Sequence, residues 1–158
     1  MSEKNLGIIG GGQLGSLLSV AAKKLNIKTT IFCDDIDAPA QNFCDNFIYG
    51  KYDDKQKFQE FAKEVDLITY EFENIPYDTL NEINKLKTVL PKPSVNRLIQ
   101  HRLAEKDFIN KLNIRTTRYV SIEKKSDIET LADFLPGILK TTTMGYDGKG
   151  QYPIKKIE

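Results

Sequence analysis

Hydrophobic and polar positions along the chain switch between a short apolar-run pattern and a helical period. Asn5–Ile9 is an apolar run stopped at once by Gly10, Gly11 and Gly12, which predicts a buried strand. Leu14, Leu17, Leu18, Ala21, Ala22 and Leu25 then recur at helical spacing. Lys23 and Lys24 near the end suit the negative pole of that helix. Lys28–Cys33 is β-branched and apolar, a second strand. Asp34 to Pro39 is polar and turn-like, and Asn46–Tyr49 is a third, shorter strand. Phe58, Phe61 and Ala62 share one face of a helix over Asp54–Lys63. Asp66–Tyr70 is a fourth strand, followed by the acidic loop Glu71–Pro76. A helix over Tyr77–Leu86 and a last short strand, Thr88–Leu90, stopped by Pro91, complete the series. Strands alternating with helices of about ten residues predict an α/β fold, a Rossmann-like doubly wound parallel sheet with helices on both faces.

The pattern changes after Pro93. Ser94 is a candidate N-cap for a short helix carrying Val95, Leu98 and Ile99. Arg102–Leu112 is a further helix, Arg118–Val120 a strand, Asp127–Leu135 a helix and Pro136–Lys140 another strand. Thr141–Gly150 is dense in threonine and glycine, and Tyr152–Ile157 has strand character. The expected division is a domain over residues 1–93 and the beginning of a second over 94–158.

Composition narrows the function classes. The 158 residues carry 23 Lys and Arg against 22 Asp and Glu, a formal net charge of +1. The basic excess or stripe of a polyelectrolyte binder is missing, so nucleic acid is not an expected partner. No apolar run approaches the roughly 20 residues of a bilayer span, and the N-terminus lacks a signal-peptide layout. Cys33 and Cys44 are the only cysteines and His101 the only histidine. Two lone thiols point to a reducing cytoplasm, and such sparse, unpaired ligands predict no metal site.

Gly10-Gly11-Gly12-Gln13-Leu14-Gly15 fits G-x-G-x-x-G, after a strand and opening a helix. Such a loop brings backbone N–H groups close to an anion. Asp34 and Asp35 stand about 20 residues on, where a dinucleotide site places its ribose acid. The loop alone leaves open a nicotinamide cofactor, another phosphate-bearing ligand, or a compact turn. Gln13 favours direct ligand contact beyond the backbone.

Gly145-Tyr146-Asp147-Gly148-Lys149-Gly150-Gln151 is the most informative segment. Three glycines and a lysine can wrap a polyphosphate with amides and one mobile charge. It is not a P-loop, because the GK[ST] ending and the following helix are missing. Strand signals on both sides predict a flap that closes over a nucleotide. Lys140, at the end of the strand before it, and Arg102, at the start of a helix, are candidate cations for the same phosphates.

GGGQLG at 10–15, TYEFEN at 69–74, PKPS at 91–94, HRLAEK at 101–106 and LKTTTMGYDGKGQ at 139–151 occur in this order. Together they resemble the N5-carboxyaminoimidazole ribonucleotide synthase family of ATP-grasp enzymes, over essentially the whole chain. The resemblance implies that ATP phosphorylates bicarbonate and that the amine of 5-aminoimidazole ribonucleotide captures the carboxyl group. It implies that Arg102 and Lys140 hold ATP, with Gly145, Tyr146, Asp147, Gly148, Lys149, Gly150 and Gln151 over its phosphates. Gly12, Gln13 and Leu14 would meet the phosphoribosyl substrate, and Glu71 its ribose hydroxyls. Glu73 stays open as that contact, since it alternates to the same face if the strand continues. Tyr146, Asp147 and Lys149 would lie where bicarbonate, the γ-phosphate and the aminoimidazole meet, with Asp147 and Lys149 as the catalytic pair.

The family's acidic Mg²⁺ ligands belong to a second ATP-grasp half, and no cluster before Glu158 replaces them. The expectation is therefore an N-terminal portion of the synthase with little or no activity alone, and a homodimer for the full-length enzyme. The other readings are an NAD- or nucleotide-binding regulatory module, or an ATP-grasp enzyme acting on another ribonucleotide.

Overall fold

The computed structural model describes residues 4–145 and 148–156. The chain falls into two compact units that divide between Arg97 and Leu98, inside the helix Pro93–Ile99 (α4). The first holds a four-stranded sheet of β1 (Asn5–Ile9), β2 (Lys28–Cys33), β3 (Asn46–Tyr49) and β4 (Leu67–Tyr70). The spatial order is β3-β2-β1-β4 and every pair is parallel. The order reverses between β1 and β4, where Ile9 stands opposite Tyr70. That reversal opens a crevice beyond the carboxyl ends of the two strands, the usual ligand position in open α/β sheets.

Alternation along the strands feeds two cores. Ile9, Phe32, Ile48 and Ile68 pack with Phe58, Phe61 and Ala62 of α2 (Lys55–Glu64) and Leu80 and Ile83 of α3 (Tyr77–Leu86). Ile8, Ile31 and Cys33 face the other way, against Ala38 and Ala40 at the 3-10 helix Pro39–Asn42. Each fully buried Ile or Phe contributes about 1.5–3 kcal/mol, so the two faces together set the sheet's register. α2 begins where Asp54 caps it, its carboxylate accepting from the N–H groups of Gln56 and Lys57 at 3.0 and 3.1 Å.

α1 (Gln13–Lys24) lies on the sheet through Gly15, Ser16, Ser19 and Ala22. Leu14, Leu17, Leu18 and Leu25, which announce the helix in the sequence, are exposed. The reason is distance: a Cβ on Gly15 would stand 2.9 Å from the Gly10 carbonyl oxygen. The glycine loop draws the helix so near the sheet that only small residues fit beneath it. Ser19 Oγ satisfies itself by donating to the Gly15 carbonyl at 2.9 Å.

Several sequence expectations differ from the structure. Ser94 is not an N-cap, because α4 already begins at Pro93 and places it inside the helix. The strand expected over Tyr152–Ile157 ends at Ile154. Thr88–Leu90 makes only an isolated parallel bridge, Val89 to Ile68, rather than a strand. Arg118–Val120 joins no ladder and pairs with none of the described strands. Asp127–Leu135 is not one helix. The Asp127 carboxylate accepts from the N–H groups of Glu123 and Lys124 at 3.0 Å, starting a short helix earlier, α6 (Lys125–Ile128). A separate 3-10 turn follows at Ala132–Phe134. The second unit also holds α5 (Arg102–Lys111) and an antiparallel pair, β5 (Gly137–Lys140) with β6 (Gln151–Ile154). Among the described residues no helix is long and apolar enough to cross a membrane.

Candidate functional site

The first unit carries its candidate site at the switch point. Gly10 leaves β1 with φ +103, a left-handed conformation that a side chain would strain. A Cβ there would also lie 2.8 Å from Glu71 Oε1. Glu71 follows β4 and its N–H donates to the Ile9 carbonyl at 3.1 Å, continuing the β1–β4 ladder for one more residue. The same ladder aims its carboxylate across the loop, where Oε1 accepts from the Gly12 N–H at 2.8 Å. Glu71 is half-buried in this position and Glu73 is exposed. Gln13 and Leu14, the first helical residues, are exposed beside it. The structure thus gathers Gly12, Gln13, Leu14 and Glu71 at one end of the sheet.

The acidic loop is held from below. Asn96 is fully buried, and its Nδ2 donates to the Ile75 carbonyl at 3.1 Å. Under the glycine loop, Tyr52 Oη donates to Cys33 Sγ at 3.8 Å. Burial pushes the Tyr52 phenol far above its ordinary range, with Cys33 and Asp34 adding to it, so the group stays a neutral donor.

The second unit carries the flap. Lys140 ends β5 and stands opposite Gln151, the first residue of β6, so both flank the neck of the turn between them. The neck is closed by Thr141, whose N–H donates to the Gly150 carbonyl at 2.9 Å. Its Oγ1 lies against two glycines: a Cβ on Gly145 would stand 3.1 Å away, and one on Gly150 would collide with it. Gly150 also has φ +65. Arg102, at the start of α5, ties the neck to the helix. Its backbone N–H donates to the Thr142 carbonyl at 2.8 Å, and Nε and Nη2 reach the carbonyls of Thr141 and Gly145, each at 3.4 Å. His101 caps the same helix, Nδ1 accepting from the Ala104 N–H at 3.4 Å.

Gly148 and Lys149 are exposed on the flap, while Tyr146 and Asp147 lie outside the described residues. The structure brings Arg102, Lys140, Gly145, Gly150 and Gln151 to one neck. Thr141 is a residue that sequence reasoning did not single out. Its signal was the run of three threonines directly before the flap.

The donor set suits a polyphosphate: two cations, with glycines whose missing Cβ atoms leave the backbone open to approach. It does not suit Mg²⁺. Among the described residues no group of three or more His, Cys, Asp or Glu could hold a metal ion.

Comparison with known proteins agrees with this layout. Residues 3–100 match the ribonucleotide synthetase preATP-grasp domain, and residues 107–158 match the ATP-grasp domain. The chain is 40% identical over 148 residues to the bifunctional purine synthesis protein purC/E of Dictyostelium discoideum, covering 92% of the chain and 15% of that protein. It is 37% identical over 158 residues to the N5-carboxyaminoimidazole ribonucleotide synthase of Brucella melitensis, covering 97% of the chain and 43% of that enzyme. The crystal structure of the Staphylococcus aureus N5-carboxyaminoimidazole synthetase with ADP superposes with a TM-score of 0.89 at 34% identity. That superposition covers 97% of this chain and 42% of the other. The chain therefore spans less than half the length of these synthases. It belongs to the ribonucleotide synthetase preATP-grasp domain family, continued by ATP-grasp sequence, and is homologous along nearly its whole length to N5-carboxyaminoimidazole ribonucleotide synthases.

Proposed function

We propose that this chain supplies the ribonucleotide-binding domain and the ATP flap of an N5-carboxyaminoimidazole ribonucleotide synthase. The observation that carries the reading is that both glycine loops occur in order on a fold matching an ADP-bound synthase with a TM-score of 0.89. In the reaction, bicarbonate oxygen attacks the γ-phosphorus of ATP, giving carboxyphosphate and ADP. Carboxyphosphate releases phosphate and carbon dioxide, and the exocyclic amine of 5-aminoimidazole ribonucleotide bonds to that carbon with loss of a proton.

Each group of residues has a task of matching chemistry. The N–H groups of Gln13 and Leu14, at the positive pole of α1, suit a 5′-phosphate. The Glu71 carboxylate, an acceptor only, suits ribose hydroxyls. Arg102 has donors beyond the two that bind the flap, and with Lys140 it offers positive charge to ATP. Gly145, Tyr146, Asp147, Gly148, Lys149, Gly150 and Gln151 fold over the phosphates and exclude water. Lys149 offsets charge developing on the transferred phosphoryl group, and Asp147 orients the acceptor beside it. Metal chemistry is left to residues other than those described.

On this reading the 158 residues alone bind ligand without turnover, and the whole synthase is a homodimer. Isothermal titration of this chain with 5-aminoimidazole ribonucleotide tests the first unit, and saturable binding is expected. This chain joined to the rest of an ATP-grasp domain is expected to form ADP only with bicarbonate and the ribonucleotide both present. ADP formation indifferent to the ribonucleotide would refute the assignment.

A further inference from the structure

We propose that Glu71 determines the ligand specificity of the first glycine loop: held on the Gly12 amide, its carboxylate fills the position a pyrophosphate oxygen would need, so the loop admits hydroxyl donors and turns phosphoanions away from that amide.

The loop has the G-x-G-x-x-G spacing of a dinucleotide site, and nothing local contradicts that reading. α1 has no side-chain cap on Gly12 and no acid in its first turn. Its positive pole is met instead by Glu71, 59 residues away in sequence. The contact is close on every side. Oε1 sits 2.8 Å from the Gly12 nitrogen, and Cβ atoms placed on Gly10 and Gly12 would stand 2.8 and 3.1 Å from it. The two glycines are therefore shaped around a carboxylate belonging to the protein itself.

An anion seeking the Gly12 N–H meets a filled acceptor position and a like charge at contact distance. A hydroxyl group meets the opposite: a fixed carboxylate with lone pairs to spare and its rotamer already set. The loop thus keeps the backbone form of a dinucleotide fingerprint while its chemistry is inverted at one amide. The amides of Gln13 and Leu14 are left for a phosphate elsewhere on the ligand. That last point rests on the ribonucleotide reading above, whereas the exclusion at Gly12 does not.

The test uses this chain, its Glu71→Ala variant and its Glu71→Gln variant. The probes are inorganic pyrophosphate, NAD and 5-aminoimidazole ribonucleotide, followed by titration calorimetry and by the ¹⁵N–¹H signal of Gly12. Glu71→Ala is expected to bind pyrophosphate at least tenfold more tightly than the parent, with the Gly12 signal shifting only in the variant. Glu71→Gln keeps the shape and a hydrogen-bonding head, so it guards against a folding defect. It is expected to gain at least threefold, since its neutral amide can turn N–H toward the anion. Pyrophosphate affinity within twofold of the parent in both variants overturns the proposal, as does a parent Gly12 signal that shifts with NAD. If 5-aminoimidazole ribonucleotide fails to bind the parent while the variants gain pyrophosphate, the exclusion stands and the substrate reading falls. Ribonucleotide binding without that gain has the reverse meaning.

Discussion

Arg102 Nη2 donates to the Gly145 carbonyl at 3.4 Å, while the Arg102 backbone N–H holds the Thr142 carbonyl at 2.8 Å. One residue at the start of α5 therefore fixes the ascending side of the flap by both its main chain and its guanidinium. A cation expected only to bind ligand is also an internal strut.

Arg102→Ala is expected to speed amide exchange across the flap, residues 141–150, by about tenfold, the equivalent of roughly 1.4 kcal/mol for hydrogen bonds to a charged group. Arg102→Lys is expected to recover little of that protection, because a point ammonium cannot span two carbonyls as a planar fork does. Hydrogen exchange read by mass spectrometry checks both. Full protection in the lysine variant would show that charge alone suffices.

Gly150→Ala is expected to destabilise the second unit by about 1–3 kcal/mol, since φ +65 disfavours a side chain and the new Cβ meets Thr141 Oγ1. Adding Thr141→Ala removes the collision but not the backbone strain. Denaturant melts of the two single variants and the double variant should give a non-additive cycle, with the double less damaged than the sum.

Gly15→Ala inverts an ordinary rule. In an open helix interior the change stabilises by about 1 kcal/mol. Here the new Cβ would lie 2.9 Å from the Gly10 carbonyl, a rigid backbone atom. Destabilisation of about 1–3 kcal/mol is expected from overpacking, read as a lower midpoint in urea. A stabilised variant would mean that α1 can rise from the sheet without cost.

Tyr52 links stability to alkaline pH. Its folded phenol is raised well above 10 by burial, Cys33 and Asp34, whereas in the unfolded chain it ionises near 10. The unfolded state alone loses this proton as pH climbs through 10, so the stability contributed by the neutral phenol is present below that pH and lost above it. At pH 10.5 the loss from this residue is about 0.8 kcal/mol. Tyr52→Phe has no such proton. Its stability should fall by about that much less than the parent's between pH 8 and 10.5 in urea titrations.

Much of the architecture was legible before any coordinates. β1, β2 and β3 follow apolar or β-branched runs bounded by glycines or polar turns, so their ends coincide with the expected ones. α2 starts where an aspartate can cap it, a local event. Expectations failed where an element needs something beyond its own sequence. Arg118–Val120 has strand composition but pairs with no strand among those described, and an unpaired extended segment makes no ladder. The leucines of α1 signal a helix correctly, yet the face that meets the sheet is the small-residue one. Amphipathic period reports helicity, while the approach distance set by the glycine loop chooses the face.

Local sequence determined the order of strands and helices, the two glycine loops and the family to which they belong, because propensity, period and motif spacing act over a few residues. Which acid meets the first loop was decided only in three dimensions. Glu71 and Glu73 are alike in the linear chain. The pairing of Ile9 with Tyr70 and the Glu71 N–H on the Ile9 carbonyl carry Glu71 onto the Gly12 amide, and leave Glu73 exposed. A register between strands whose paired residues are 61 apart in sequence is a property of the packed sheet. So is the chemistry that the loop can offer.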